Sequence, residues 1–163
     1  MNAAPGRASE VFMAGTNYVE IHGRRVGLDN TAGRVFAAGV PFTFTMTPAA
    51  GSANVCEVTI QAVDYFGTAL AQVTNFDLWL SDAATGAGLT ALTASGAVAA
   101  KAASGTDLVV YTAKKALRVQ SDATGKYILS ITDTVKNLFK VCAAIPDSGT
   151  TVVGATLTAA NYG

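Results

Sequence analysis

The chain has 163 residues, of which 50% are hydrophobic, 8% aromatic and 13% charged. That length suits one domain, or one domain with an arm. Eleven basic residues balance eleven acidic ones, so the formal net charge is zero; this speaks against an electrostatic nucleic-acid binder and against intrinsic disorder, and it favours association with other subunits.

Residues 1–40 predict an extended arm with one or two short strands. Gly6, Gly15, Gly23, Gly27, Gly33 and Gly39 punctuate it, which disfavours a helix. Its best alternating run is Tyr18 to His22. The arm carries Arg7, Arg24, Arg25 and Arg34 among Glu10, Glu20 and Asp29. From Val40 onward strand signals recur. Phe42 to Thr47 alternates apolar and polar residues, and Pro48 ends the run. In Val55 to Val63 one face holds Cys56, Val58, Ile60 and Ala62, the other Glu57, Thr59 and Gln61. Phe76 to Ser81 turns Phe76, Leu78 and Leu80 inward. Leu108–Thr112, Ala116–Gln120, Tyr127–Thr132 and Leu138–Ala143 complete the core set. Thr151 to Leu157 reads as a last strand or a tail.

Short strands separated by turn signals predict an all-β sandwich over residues 41–146. The stretch Leu89–Ser104 is rich in Ala, Gly, Ser and Thr. Within it, Ala97–Ala103 suits either two helical turns or a loop. No run of about 18 apolar residues is present, so no membrane-spanning helix is expected. Met1 to Glu10 does not read as a secretory signal, so synthesis in the cytosol is expected. The two cysteines, Cys56 and Cys142, belong to no C-x-x-C pair. Cytosolic synthesis argues against a disulfide between them.

Three strands end near an Asp followed closely by Gly: Asp64 to Gly67, Asp82 to Gly86, and Asp122 to Gly125. An Asp carboxylate at such a turn accepts backbone N–H groups, and Gly supplies a positive φ. A calcium loop needs oxygen ligands at about every second position, which these turns lack. They therefore read as structural turns.

At these turns the sequence resembles known modules. Val58 to Gly67 resembles the opening of bacterial and phage immunoglobulin-like domains, in which an alternating strand runs into Asp-x-x-Gly. Ser121 to Ile131 is similar to a hairpin of the same modules, with Leu138 to Ala143 as the returning strand. Phe76 to Gly88, followed by Gly105 to Leu108, resembles small structural proteins of tailed bacteriophages, head decoration (cement) proteins in particular. The likeness covers residues 54–146. It implies an immunoglobulin-like β-sandwich with an N-terminal arm over residues 1–40 and a C-terminal strand or tail over 147–163. It also implies a non-enzymatic virion subunit on the capsid exterior. The implied partners are the major capsid protein and further copies of itself, as a dimer or trimer, with neither nucleic acid nor membrane.

The candidate chemistry is thin. His22, the single histidine, lies in the arm, away from the rigid placement that a catalytic triad needs. The acids sit near strand ends beside Gly, Ser or Thr, where turn-forming Asp belongs. Phosphate-loop motifs are absent, and Gly86-Ala87-Gly88 is a weak substitute. One His with Cys56 and Cys142 cannot complete a zinc site. No catalytic residue, cofactor or metal is expected. Cys56, Trp79 and Cys142 resemble the Cys–Trp–Cys order of antibody domains, but Lys140 stands where a tyrosine corner needs Tyr. Trp79 falls on the outward face of its strand, where it is either covered by a neighbouring segment or used at an interface. Arg24, Arg25 and Arg34 suit an acidic protein patch. Lys114 and Lys115 read as a solvated turn. The candidate interface residues are thus Arg24, Arg25, Arg34 and Trp79. The alternative function is adhesion: an immunoglobulin-like module of a phage fibre or cell-surface protein, binding a glycan or receptor through Tyr65, Phe66 or Tyr111.

Overall fold

A computed structural model describes residues 18–21, 24–29, 34–146 and 150–163. Its elements are almost entirely β. Strands β1 (Tyr18–Ile21), β2 (Arg24–Asp29) and β3 (Arg34–Ala37) form an antiparallel meander. The region expected as an arm with one or two short strands therefore holds three strands that pair with one another. Each of these strands is four to six residues long, and Gly27 lies within the longest of them, β2.

The remaining strands build two sheets. One is ordered β4-β5-β10-β7, from β4 (Thr43–Ala50), β5 (Val55–Val63), β10 (Lys126–Thr132) and β7 (Val98–Ala100). The other is ordered β12-β11-β6-β9-β8, from β12 (Thr151–Thr156), β11 (Lys140–Ala144), β6 (Asn75–Ser81), β9 (Ala116–Gln120) and β8 (Thr106–Thr112). All pairings are antiparallel. The all-β sandwich expected from strand spacing is the observed architecture.

Period-2 alternation fills the space between the sheets. Cys56, Val58, Ile60 and Ala62 of β5 lie beside Tyr127, Leu129 and Ile131 of β10, all within one buried cluster. Phe76, Leu78 and Leu80 of β6, Leu117 and Val119 of β9, and Val141 and Ala143 of β11 belong to the same cluster. Each large aliphatic side chain so buried contributes about 1.5–3 kcal/mol. Phe76 is the aromatic hinge of the core. Its ring lies 4.5 Å from that of Phe44 and meets Tyr127 edge-on at 5.8 Å. The Tyr127 hydroxyl reaches across the sandwich and donates to Asp107 Oδ1 at 2.5 Å. Asp107 also accepts the backbone N–H of Ala100. One carboxylate thus ties β8 to β7 and β10. Burial, then the hydrogen bond to Asp107 and lastly its charge, push the Tyr127 phenol far above its ordinary range.

One reading is corrected, one resolves to its first alternative, and one boundary shifts. Ala97–Ala103 makes no helix: Val98–Ala100 pairs with Ile131–Leu129 as β7, because backbone pairing to an exposed sheet edge outweighs the helix propensity of Ala. The last run is a strand, with β12 pairing along β11 and a short 3-10 turn, Ala159–Asn161, after it. The run at Leu138 enters its strand only at Lys140; Phe139 is buried and Leu138 exposed.

The sheets differ in width. At one edge β12 lies over β4, with Gly154 against Met46. At the other, the three-residue β7 stands beside the seven-residue β8. Leu108, Val109, Val110 and Tyr111 are consequently between 44% and 56% exposed. The run placed in the core set by its hydrophobicity is an uncovered edge strand.

The turn glycines offer a test. Gly125 has φ +76°, and a Cβ there would overlap the Leu70 carbonyl oxygen. Gly67 has φ +79° with open space around it. Gly125→Ala is expected to cost about 3 kcal/mol or more, from strain plus overlap, whereas Gly67→Ala costs about 1 kcal/mol. Urea unfolding of both variants checks the order; equal losses would contradict this packing.

Candidate functional site

Strand register gathers the loops 82–97, 113–115 and 133–139 at one end of the sandwich, since Ser81 pairs with Lys140 and Trp79 with Ala116. Four large apolar side chains protrude there: Leu89, Leu92, Val135 and Leu138, between 45% and 71% exposed. The loops that carry them are held by charged groups. Asp82 accepts from the Thr90 hydroxyl at 2.5 Å and from the Ala91 N–H at 2.7 Å. The Lys115 ammonium donates to the Thr90 and Ala91 carbonyls, and that of Lys114 to the Ala94 and Ser95 carbonyls. Asp133, fully buried, accepts the backbone N–H groups of Ser95, Val135 and Asn137. It binds the 89–95 loop to the 133–139 loop.

Two expectations are corrected here. Asp82 does not serve its own turn, which Gly86 N–H closes on the Ala83 carbonyl; its carboxylate crosses to the facing loop. Lys114 and Lys115 are not a merely solvated turn, because both ammonium groups are engaged on loop carbonyls. Asp64 and Asp122 do serve their own turns. Asp64 accepts from Phe66 and Thr68 N–H, and Asp122 from Thr124 and Lys126 N–H. Asp64 also accepts the Gly39 N–H at 3.2 Å, so it anchors the connector that leaves β3.

Trp79 stands on the outer face of β6, opposite the core, as its alternation predicts. Its indole N–H donates to the Gly86 carbonyl at 2.8 Å. Of the two readings, cover by a neighbouring segment matches this contact. The cover is partial: Trp79 also lines a groove of about 590 Å³ with Tyr111, Leu89, Ala116, Asp77 and the 85–88 segment. The Tyr111 hydroxyl donates to Asp77 Oδ1 at 3.1 Å. Under the same segment lies Cys142, opposite Trp79 in register, and a Cβ on Gly86 would press on its sulfur. Cys56 faces the core in the other sheet. Both thiols are free and buried, and burial raises both to about 11, leaving them protonated and unreactive at neutral pH.

The arginines occupy the meander. Arg25 lies across from Glu20 in register and Arg34 across from Asp29, while Arg24 is opposite Ile21. Three of the four candidate interface residues thus stand in a sheet separate from Trp79. His22 lies outside the described residues. Tyr65 and Phe66 meet edge-on, and Phe42 packs on Tyr65; these aromatics sit at the opposite end of the sandwich from the protruding leucines. Among the described residues no cluster of three or more His, Cys, Asp or Glu side chains is arranged to hold a metal. Leu89, Leu92 and Val135 escaped sequence reasoning because they lie in loops, where periodicity carries no information. No protein-family model and no curated protein sequence matches the chain.

The anchoring carboxylates set a pH dependence. Asp82 is held below the usual carboxylate range by the Thr90 hydroxyl and then the Ala91 N–H, and Asp122 chiefly by the Thr124 hydroxyl. Burial opposes the charge on Asp133, yet its backbone donors outweigh that and lower it as well. A folded-state pKa below the unfolded value of about 4 gives stability that is complete above that pH and lost as pH falls through the depressed values. The urea midpoint is expected to hold steady from about pH 7 to 5 and to drop below about pH 4. Asp133→Asn should start lower at neutral pH and fall less in acid. An acid response identical to that of the unmodified chain would contradict this role.

Proposed function

We propose that the chain is a structural virion subunit that binds the outer surface of a tailed-phage capsid, through the major capsid protein, and stabilises the head lattice, as head decoration proteins do. The observation that supports this best is the end platform. Leu89, Leu92, Val135 and Leu138 are exposed on loops fixed by Asp82, Asp133, Lys114 and Lys115. Apolar groups held in place before contact lose little conformational entropy on docking, so their burial goes further towards affinity. Repetition over a lattice then multiplies weak single contacts.

Strand order supports the immunoglobulin-like form of the sandwich. Taking β4 to β7 as A to D and β10 to β12 as E to G, one sheet reads A-B-E-D and the other G-F-C. The β8–β9 hairpin is then an addition beside strand C. In this reading the protein acts through surface burial on the capsid exterior, with no cofactor and no reaction.

A second reading, adhesion through a glycan or receptor, draws on the groove. Trp79 and Tyr111 line it next to the Asp77 carboxylate, and aromatic faces beside a polar group suit a small polar ligand. Co-sedimentation with undecorated tailed-phage capsids separates the two. Saturable pelleting is expected, and Leu92→Asp and Val135→Asp should each weaken it about tenfold or more, roughly 1.4 kcal/mol, without moving the unfolding midpoint. Binding to cells or glycans with no pelleting on capsids would overturn the capsid reading in favour of adhesion.

A further inference from the structure

The uncovered edge strand calls for a partner of its own. Sheet edges present unpaired backbone groups, and folded proteins blunt them with charge, Pro, bulges or cover; β8 has two register shifts and one inward charge, yet its four central apolar residues stay about half exposed. Strand β8 has no Pro, Lys or Arg between Thr106 and Thr112. Its one charge, Asp107, is turned inward onto Ala100 N–H and the Tyr127 hydroxyl. Beyond that carboxylate, Leu108 to Tyr111 face solvent on both sides of the sheet.

The irregularities of β8 are arranged symmetrically. Against β9 the register skips twice, between Asp107 and Val109 and between Val110 and Thr112. The extra residues are therefore Leu108 and Tyr111, equally distant from the midpoint between Val109 and Val110. A two-fold axis through that midpoint carries one bulge onto the other. A straight strand would meet a bulged edge out of step, whereas a second β8 matches it residue for residue.

We infer that two copies of the chain join through β8, antiparallel about a two-fold axis between Val109 and Val110. Val109 of one copy then faces Val110 of the other, and Leu108 faces Tyr111. Asp107 faces Thr112, and Lys114 faces Gly105, so no like charges are opposed. The two five-stranded sheets continue into one of ten, and the edge left bare by the short β7 is closed. Isologous contacts of this kind are the commonest route to a closed homo-oligomer. A single strand pair is small beside a standard interface of roughly 800 Å² per partner, so the dimer dissociates on dilution. The inference deepens the assembly reading, which it takes as its setting, by naming the surface that joins copies.

Sedimentation analysis of the full chain over roughly micromolar to near-millimolar concentration tests it. The mass is expected to rise from monomer to dimer. Val110→Asp and Val109→Lys should each weaken dimerisation about tenfold or more, with unchanged circular dichroism, since both side chains are half exposed. An equimolar mixture of the two variants should recover a one-to-one dimer, because this register places the new acid opposite the new base. A wild-type chain that stays monomeric, variants that still dimerise alone, or a mixture that stays monomeric would each overturn the β8 contact. The assembly reading is judged separately: a monomer that still pellets with capsids removes only the β8 contact, and a dimer that does not pellet removes only the capsid partner.

Discussion

The structure turns on a mismatch of width. Five strands on one side of the sandwich face four on the other, and the fourth, β7, is only three residues long. Apolar side chains on four of the five strands find cover from the opposing sheet or from segments laid over the outer face. Those on β8 do not. Hydrophobic burial acts without direction and in proportion to area, so a strand that carries apolar residues beyond the reach of the opposing sheet keeps an unspent driving force. On that surplus rests the proposed contact between copies at this edge.

Polar groups decide what remains rigid. Carboxylates removed from water are stable only when enough donors surround them; here Asp133 and Asp64 each collect backbone N–H groups from two segments, while Asp82 and Asp107 each take one backbone N–H and one hydroxyl. Asp133 joins two loops, Asp82 crosses from a strand end to the next loop, Asp64 holds both its own turn and the connector from β3, and Asp107 links the two sheets. The Lys114 and Lys115 ammonium groups add donors to the carbonyls of the 89–95 loop. The apolar residues displayed between these anchors, Leu89, Leu92 and Val135, are held in position before any partner arrives.

Much of the fold is legible in the residues themselves. Alternation places Cys56, Val58, Ile60 and Ala62, and Phe76, Leu78 and Leu80, on core faces because one side of each sheet is wet and the other dry. The Asp–Gly turns announce themselves through positive φ and carboxylate capping. The site was harder to read. A run such as Leu108-Val109-Val110-Tyr111 has no alternation, and a central strand buried on both faces has the same appearance as an edge strand bare on both; only the length of β7, set by pairing with β10, separates them. The helical propensity of Ala97–Ala103 lost to that same pairing. Alternation puts Trp79 on the outer face, but its hydrogen bond to Gly86 depends on how the 82–88 loop folds back, which no periodicity encodes. The long-range roles of Asp82, Lys114 and Lys115 were hidden for the same reason.

Amide hydrogen exchange across residues 106–112 addresses the central claim most directly. If β8 is an open edge that association closes, its amides exchange fast in dilute solution and slow by about tenfold or more as the chain assembles, while those of β5 and β10 stay protected throughout. Exchange along β8 that is already slow in the dilute monomer, or that does not change on assembly, would contradict the account.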